Sequence, residues 1–524
     1  MHFRLRLLLS LLPLLLCAAC ASLPTEVERL PSHAMTRTDD TRLGRGIAGL
    51  SAGKPADHSA IHPLPDPLDA FAARVLLARA ADRSLDVQYY IWRQDHTGLL
   101  LFEALWEAAE RGVRVRLLLD DNNTGGLDNL LATLDAHPLI EVRLYNPLAM
   151  RSTRMLNYLG EFERLNRRMH NKSMTADNQA TIVGGRNIGD EYFDAGDGVG
   201  FQDLDVLAAG PVVRAVSSSF DAYWNSASAF PVTSVVSASV DRAALLARFT
   251  DIRNDDKAKA YQQRVRDSGL LQTVLDGRFM GLEWAPTTLV VDPPTKTLGD
   301  TASAGPLLMT QLLDLLGQPR VSFDLVTPYF VPGPQGSAAF SRLAQQGVRV
   351  RILTNSLSST DVSAVHAGYA KRRKDLLRAG VTLYELKREK SERAAPSEKD
   401  TTAGQRQPGK HFGSSSASLH AKTFAQDGQR AFVGSFNFDP RSAHLNTELG
   451  VVIDSPALAS AIGRWFDTRV SHEAYHVLID DSDRLHWVEQ TASGATQYDT
   501  EPGTNALRRG WIYLLSILPI EWLL

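Results

Sequence analysis

The sequence predicts an α/β protein built from two similar α/β/α sandwich halves that share one active site. Two observations carry this prediction. The runs SLDVQYYIW, LLLFEALWEAAERGVRVRLLLD and IEVRLYNP read as strand, helix, strand and strand, and VSFDLVTPYFV, GSAAFSRLAQQGVRVRILTN and VTLYELK repeat that order. Within them Gly112-Val-Arg-Val-Arg is identical to Gly347-Val-Arg-Val-Arg. In each copy a glycine ends a helix and an alternating strand begins. At 524 residues, 44% of them hydrophobic, the chain is long enough for two domains or one fused pair.

The first twenty residues place Arg4 and Arg6 before an apolar run from Leu7 to Leu16, then small residues. That is the plan of a secretory signal, too short for a spanning helix. Its ending, Cys17-Ala-Ala-Cys20, is similar to a bacterial lipoprotein processing site, with Cys20 the lipidated first residue of the mature chain. Cleavage near Ala21 without lipid is the alternative; both export the body. Facing the periplasm or cell exterior is therefore expected, with inner or outer membrane open.

Residues 21–67, polar and punctuated by prolines, are expected to be a flexible tether. The first half then runs over 68–242, opening on the helical spacing of LDAFAARVLLARA. Residues 243–285 read as a charge-rich helical connector or lid, and the second half spans 286–480. Within it, 387–418 has almost no apolar residues and reads as a mobile surface loop. The tail, 481–524, ends in RRGWIYLLSILPIEWLL, whose apolar run is too short to cross a bilayer. Arg508, Arg509, Trp511 and Trp522 suit a water–lipid interface, and docking on its own domain is the alternative.

Lys+Arg total 56 against Asp+Glu 59, so no basic excess supports a nucleic-acid partner, and none is expected. The two cysteines, Cys17 and Cys20, both lie in the signal segment. The body therefore has no disulfide framework, cysteine nucleophile or thiolate metal site. Asp120-Asp121 ends a strand without partners for a metal, and no metal or cofactor is expected.

Each half carries the same spaced set. His170, Lys172, Asp177, Gly184 and Asn187 recur as His420, Lys422, Asp427, Gly434 and Asn437. His-x-Lys on a strand directs an imidazole and an ammonium to one side. The imidazole can attack phosphorus or deliver a proton, and the ammonium can neutralise phosphate oxygens. Asn187 and Asn437 can donate to those oxygens. Ser435 can do so too, or satisfy its own turn. A further acid follows each set, Asp203 and Glu448, placed to accept from the far nitrogen of each imidazole and fix its tautomer. His366 and Tyr369, before Lys371-Arg-Arg-Lys374, read either as part of a solvated basic helix face or as a headgroup contact.

At this point the chain resembles the phospholipase D superfamily, whose hallmark is a His-x-Lys-x4-Asp motif present twice. The resemblance runs from about Leu68 to about Asp480. VHAGYAKRRKDLLRAGVTLYEL and SFNFDPRSAHLNTELG look like the bacterial cardiolipin synthase branch, C type. The resemblance implies two phospholipase D-like domains and a metal-free ping-pong route. His170 attacks the phosphodiester, forming a phosphohistidine, and His420 protonates the leaving alcohol and then activates the acceptor. Lys172, Lys422, Asn187 and Asn437 stabilise the phosphoryl oxygens, and Asp177 and Asp427 support the motif. The two imidazoles should start in opposite protonation states.

The implied activity is phosphatidyl transfer from a donor phospholipid, with phosphatidylethanolamine one candidate, to phosphatidylglycerol at a membrane surface. A phospholipase D, phosphodiesterase or nuclease with water as acceptor is the alternative, and a lipid-headgroup binding protein without turnover is a third reading. A helper protein and the oligomeric state stay open.

Overall fold

The computed structural model describes residues 22–193, 200–278, 281–299, 305–388, 417–491, 494–518 and 521–524. The expected signal with Cys20, and nearly all of the expected loop 387–418, lie outside the described residues.

The first half contributes β1 (His58–Leu64), β2 (Ser84–Tyr89), β3 (Arg114–Asp120), β4 (Ile140–Tyr145), β5 (Ser173–Ala176), β6 (Ala180–Gly184), β7 (Gly200–Gln202), β8 (Asp205–Ala209) and β9 (Ala229–Pro231). The second contributes β10 (Glu283–Val291), β11 (Ser322–Val326), β12 (Arg349–Asn355), β13 (Thr382–Leu386), β14 (Ala417–Leu419), β15 (Thr423–Gln426), β16 (Arg430–Gly434), β17 (Leu449–Ile453) and β18 (Ala474–Ile479). β2, β3 and β4 are parallel neighbours, as are β11, β12 and β13. Amphipathic helices such as His96–Glu110 and Gly333–Gln345 make the crossovers that parallel pairing requires.

Antiparallel strands complete each sheet, so the order 9-4-3-2-5-6-8-1 recurs as 18-13-12-11-15-16-17-10. The second arginine of each repeated pentapeptide explains its own recurrence. Arg116 forks onto Asp86 at 2.7 and 2.8 Å, and Arg351 onto Asp324 at 2.6 and 2.8 Å, both pairs buried at equivalent register. Breaking either would strand a buried charge.

The two sheets are one. β10 pairs antiparallel with β1 through residues 283–286 and with β17 through 287–291, making a continuous 18-stranded sheet. A second seam is the parallel ladder of β7 with β14. A third is the bridge of Met169 to Thr447.

Several expected boundaries move. Residues 22–67 are folded onto the first half. The helix Arg42–Ser51 buries Leu43 and Ile47, β1 belongs to the sheet, and Arg114, Arg116 and Arg143 donate to the carbonyls of His33, Ser32 and Leu30. The prolines suggested a tether, but these backbone carbonyls take up N–H groups that the arginines of β3 and β4 have left over from their carboxylate partners. The connector is helical, as Arg242–Asn254, Asp256–Asp267 and Leu270–Leu275, and packs on helices Pro67–Ala80 and His96–Glu110 as an outer layer of the first half. The tail is also structured: β19 (Leu485–Thr491) and β20 (Gly494–Tyr498) extend the sheet beyond β18, ahead of the C-terminal helix Ala506–Ile517.

Candidate active site

His170 and His420 lie just before β5 and β15, on extended segments rather than inside the ladders, which begin at Ser173 and Thr423. Each is held by the other half. The His170 amide donates to the Thr447 carbonyl at 2.9 Å, and the His420 amide to the Gln202 carbonyl at 2.9 Å. The acids cross over in the same way: His170 Nδ1–H donates to Glu448 Oε2 at 2.8 Å, and His420 Nδ1–H to Asp203 Oδ2 at 2.6 Å. The sequence reading gave each histidine an acid without assigning halves. The structure shows that neither imidazole is oriented by its own. With Nδ1 so committed, each ring turns Nε2 to the shared cleft. Tyr90 lies edge-on to His170 at 4.9 Å and Tyr192 to His420 at 5.1 Å, narrowing both walls.

The lysines are buried beside them. Lys172 Nζ donates to the His170 carbonyl at 2.7 Å, and Lys422 Nζ to that of His420, which spends one N–H of each ammonium. Asn187 accepts from the Ile91 amide, and Asn437 Oδ1 is buried with no hydrogen-bond partner among the described residues. Ser435 departs from its phosphate-binding reading: its hydroxyl donates to Glu448 Oε2 at 2.5 Å and accepts from the Leu449 amide. Ser442 donates to the other Glu448 oxygen at 2.8 Å. In the first half Gly185 occupies the equivalent place, and a Cβ there would come within 2.2 Å of Asp203 Oδ1. The shorter acid therefore packs against a bare backbone, whereas the longer one is held by two hydroxyls.

Asp177 and Asp427 stand apart from the cleft in tight turns at φ 52° and 56°. Asp177 accepts from the amides of Asp82, Arg83 and Ser84, and Asp427 from those of Arg320, Val321 and Ser322. They tie the motif turn to the start of β2 or β11, a structural duty with no access to a reacting group.

Sequence reasoning missed a pair of clamps. Asp120 ends β3 and accepts from the Met169 amide at 2.8 Å while pairing with Arg168. Asn355 ends β12 and grips Leu419 twice, accepting from its amide at 3.0 Å and donating to its carbonyl at 3.0 Å. Each clamp fixes the residue before a motif histidine. The signal was present: both stand eight residues after the glycine of the repeated pentapeptide. Asp121 is occupied by Arg151 and Arg154.

With that geometry established, relatives can be placed. A family described as "Cardiolipin synthase, PLD-like domain" matches residues 75–224 and 312–470, bracketing both histidines. The chain is 46% identical over 487 residues to Cardiolipin synthase C of Escherichia coli K12, covering 92% of this chain and all of that protein. The chain belongs to the cardiolipin synthase, phospholipase D-like family. Cardiolipin synthase A of Cronobacter sakazakii is 24% identical over 86% of this chain and 76% of its own. The phosphatidylserine synthase structure from Haemophilus influenzae Rd KW20 aligns over 92% of this chain and 100% of its own. Its TM-score of 0.53 at 12% identity supports the fold alone.

The electrostatics of this cardiolipin synthase-type site depart from the expected opposition of two imidazoles. Burial, then Lys172 and Lys422, hold His170 well below its ordinary range. Burial and Lys422 push His420 down to about 3, against the pull of Asp203. Burial first, and the neighbouring lysines second, thus disfavour the cationic form of both rings. Lys422 is itself lowered by burial to about 8, and Lys172 lies well below its usual value for the same reason. The asymmetry lies in the acids. Burial raises Asp203, but His420 and Lys422 outweigh it and keep the group ionised. Burial lifts Glu448 to about 7, despite Lys172, Ser435 and Ser442.

The basic helix reading also changes. His366 is buried and pairs with Glu501 at 2.9 Å, and Arg373 pairs with Glu385 at 3.1 Å and with Glu501. Lys371 and Arg372 reach the C-terminal segment, and Lys374 reaches Asp483. The stretch joins the C-terminal extension to β13, and its basic side chains are paired rather than forming a free solvated face.

Proposed function

We propose that the protein is a phosphatidyltransferase of cardiolipin synthase type. It transfers a phosphatidyl group from a donor phospholipid to phosphatidylglycerol through a phosphohistidine. The observation that carries this reading is the crossed pair His170–Glu448 and His420–Asp203 beside two buried lysines. Nε2 of His170 attacks phosphorus, and the bond to the headgroup oxygen breaks. His420 Nε2–H gives that oxygen its proton. The phosphatidylglycerol hydroxyl then returns a proton to His420 and attacks phosphorus, and the P–N bond breaks.

Charge favours this division of roles. A phosphodiester between Lys172 and Lys422 offsets the part of the lowering of His170 and His420 that the two lysines contribute. The ionised Asp203 then supports a cation on His420 better than Glu448, raised to about 7, supports one on His170. Lys172, Lys422, Asn187 and Asn437 hold the phosphoryl oxygens. Export, lipidation at Cys20 and contact with a bilayer surface complete the proposal. The arrangement of the signal segment supports them, and no described helix is long and apolar enough to cross a membrane.

The test uses full-length protein in liposomes of labelled phosphatidylglycerol and phosphatidylethanolamine with EDTA, resolving products by mass spectrometry. Cardiolipin that disappears in His170→Ala and His420→Ala is the expected result. Phosphatidic acid without cardiolipin would make water the acceptor.

A further inference from the structure

Two apolar stripes lie on the surface, each followed in sequence by a segment that one arginine holds. The helix Asn157–Leu165 and the turn before it expose Met155 (79%), Leu159 (69%) and Phe162. The C-terminal helix exposes Leu507 (86%), Trp511 and Leu514 while burying Ile512 against Leu357 and Ala367. The second stripe follows the spacing i, i+4, i+7 along one helix, while the first crosses from the turn Arg154–Leu156 into Asn157–Leu165, whose backbone is non-helical at Glu161. Solvent-facing apolar stripes of this kind mark interaction surfaces.

Arg441 joins them. Its guanidinium donates to the Asn166 side chain at 2.7 Å and carbonyl at 2.8 Å, at the end of the first helix. It also donates to the Leu523 carbonyl at 3.3 Å, and its amide donates to Leu524 at 2.9 Å. Arg441 stands four residues after Asn437 in the site. On its inner side the first helix turns Tyr158 to Asn122 at 2.7 Å, next to Asn123, whose side chain donates to the Tyr90 carbonyl at 3.4 Å. Tyr90 in turn lies against the His170 ring. One helix thus has a face toward the catalytic wall and a face toward solvent.

Charge selects the occupant. Residues 505–518 hold Arg508 and Arg509 with no acid, whereas the arginines of residues 151–168 are each paired with a carboxylate. Apolar side chains flanked by a cationic excess, as on the C-terminal helix, fit an anionic lipid surface rather than an acidic or neutral protein.

We infer that Met155–Phe162 and Leu507–Leu514 are two prongs of one bilayer-docking rim, seated on anionic phospholipid with the cleft opening between them. The inference rests on the lipid-handling reading above and adds where the lipid surface sits.

The test has two separable readouts, both on the full chain. In the first, Leu159→Cys and Trp511→Cys are labelled with an environment-sensitive fluorophore, with Val321→Cys, exposed on another element, as control. Phosphatidylglycerol vesicles should blue-shift the first two labels and leave the third unchanged. In the second, Leu159→Glu and Trp511→Glu are assayed on phosphatidylglycerol vesicles and on a monomeric short-chain phosphatidyl donor. Vesicle activity should fall at least tenfold, and short-chain activity should stay at the wild-type level. Unshifted labels, or glutamate variants that keep vesicle activity, would overturn the inference. Labels that shift with protein concentration alone would assign the rim to a second copy of the chain and overturn it as well. A wild type inactive on both substrates whose labels still shift would sink the transferase reading while leaving the docking rim intact.

Discussion

Replacing Asp203 by asparagine separates the two histidines chemically, because Asp203 serves the histidine of the opposite half. The bond lost is a buried, charge-assisted one of 2.6 Å to His420. Such bonds contribute about 2–3 kcal/mol, roughly 30- to 150-fold in rate. Losing tautomer control can extend the loss to roughly 10⁴-fold, as in other histidine–carboxylate pairs. The assay compares an ordinary phospholipid donor with a phosphatidyl ester of p-nitrophenol, whose leaving group needs no proton. If His420 is the acid, Asp203→Asn should regain a first-step burst within about tenfold of wild type on the activated ester. Glu448→Gln, which touches His170, should stay impaired on both substrates. Rescue of Glu448→Gln instead would refute the assignment of roles. Equal behaviour of the two variants would refute the reasoning from crossed acids altogether.

Gly185→Ala should resemble Asp203→Asn in that same comparison, since its Cβ would lie 2.2 Å from Asp203 Oδ1. Asn355→Ala should lower kcat by roughly tenfold or more with KM within about twofold, because it frees the backbone before His420 without touching substrate. Asp427→Ala removes the acceptor for three amides and should cost about 2–4 kcal/mol, read as a lower midpoint in denaturant. Glu448 gives a pH test. Its folded value of about 7 lies above the ordinary 4.5, so its contribution to stability is fully present below pH 4.5 and is lost as pH rises through 7. Glu448→Gln should flatten that part of the stability–pH curve, and an unchanged slope would show that the acid is not raised.

The halves and their chemistry were legible because a repeat exposes both. Strand and helix runs recur in order, and the motif residues recur at one offset, so His170, Lys172 and their partners needed no structure to be found. The supporting role that the resemblance implied for Asp177 and Asp427 agrees with their place in the turns that hold β2 and β11. The crossing of Asp203 and Glu448 was not legible, because sequence distance says nothing about which half contributes to which cleft wall. Ser435 misled for a related reason: a hydroxyl near a phosphate site looks like a ligand until the longer Glu448 is seen to need a donor. Residues 22–67 read as a tether because their contacts are backbone carbonyls received by distant arginines, which leave no periodic trace. The strands after Asp480 were missed because the half-exposed Leu485–Thr491 and the exposed edge strand Gly494–Tyr498 carry weak alternation.

The seams β1–β10, β7–β14 and Met169–Thr447 bear on traffic through the cleft. Halves sewn together by two backbone ladders and a bridge resist swinging apart like jaws, so the site is not built to admit substrate by separating them.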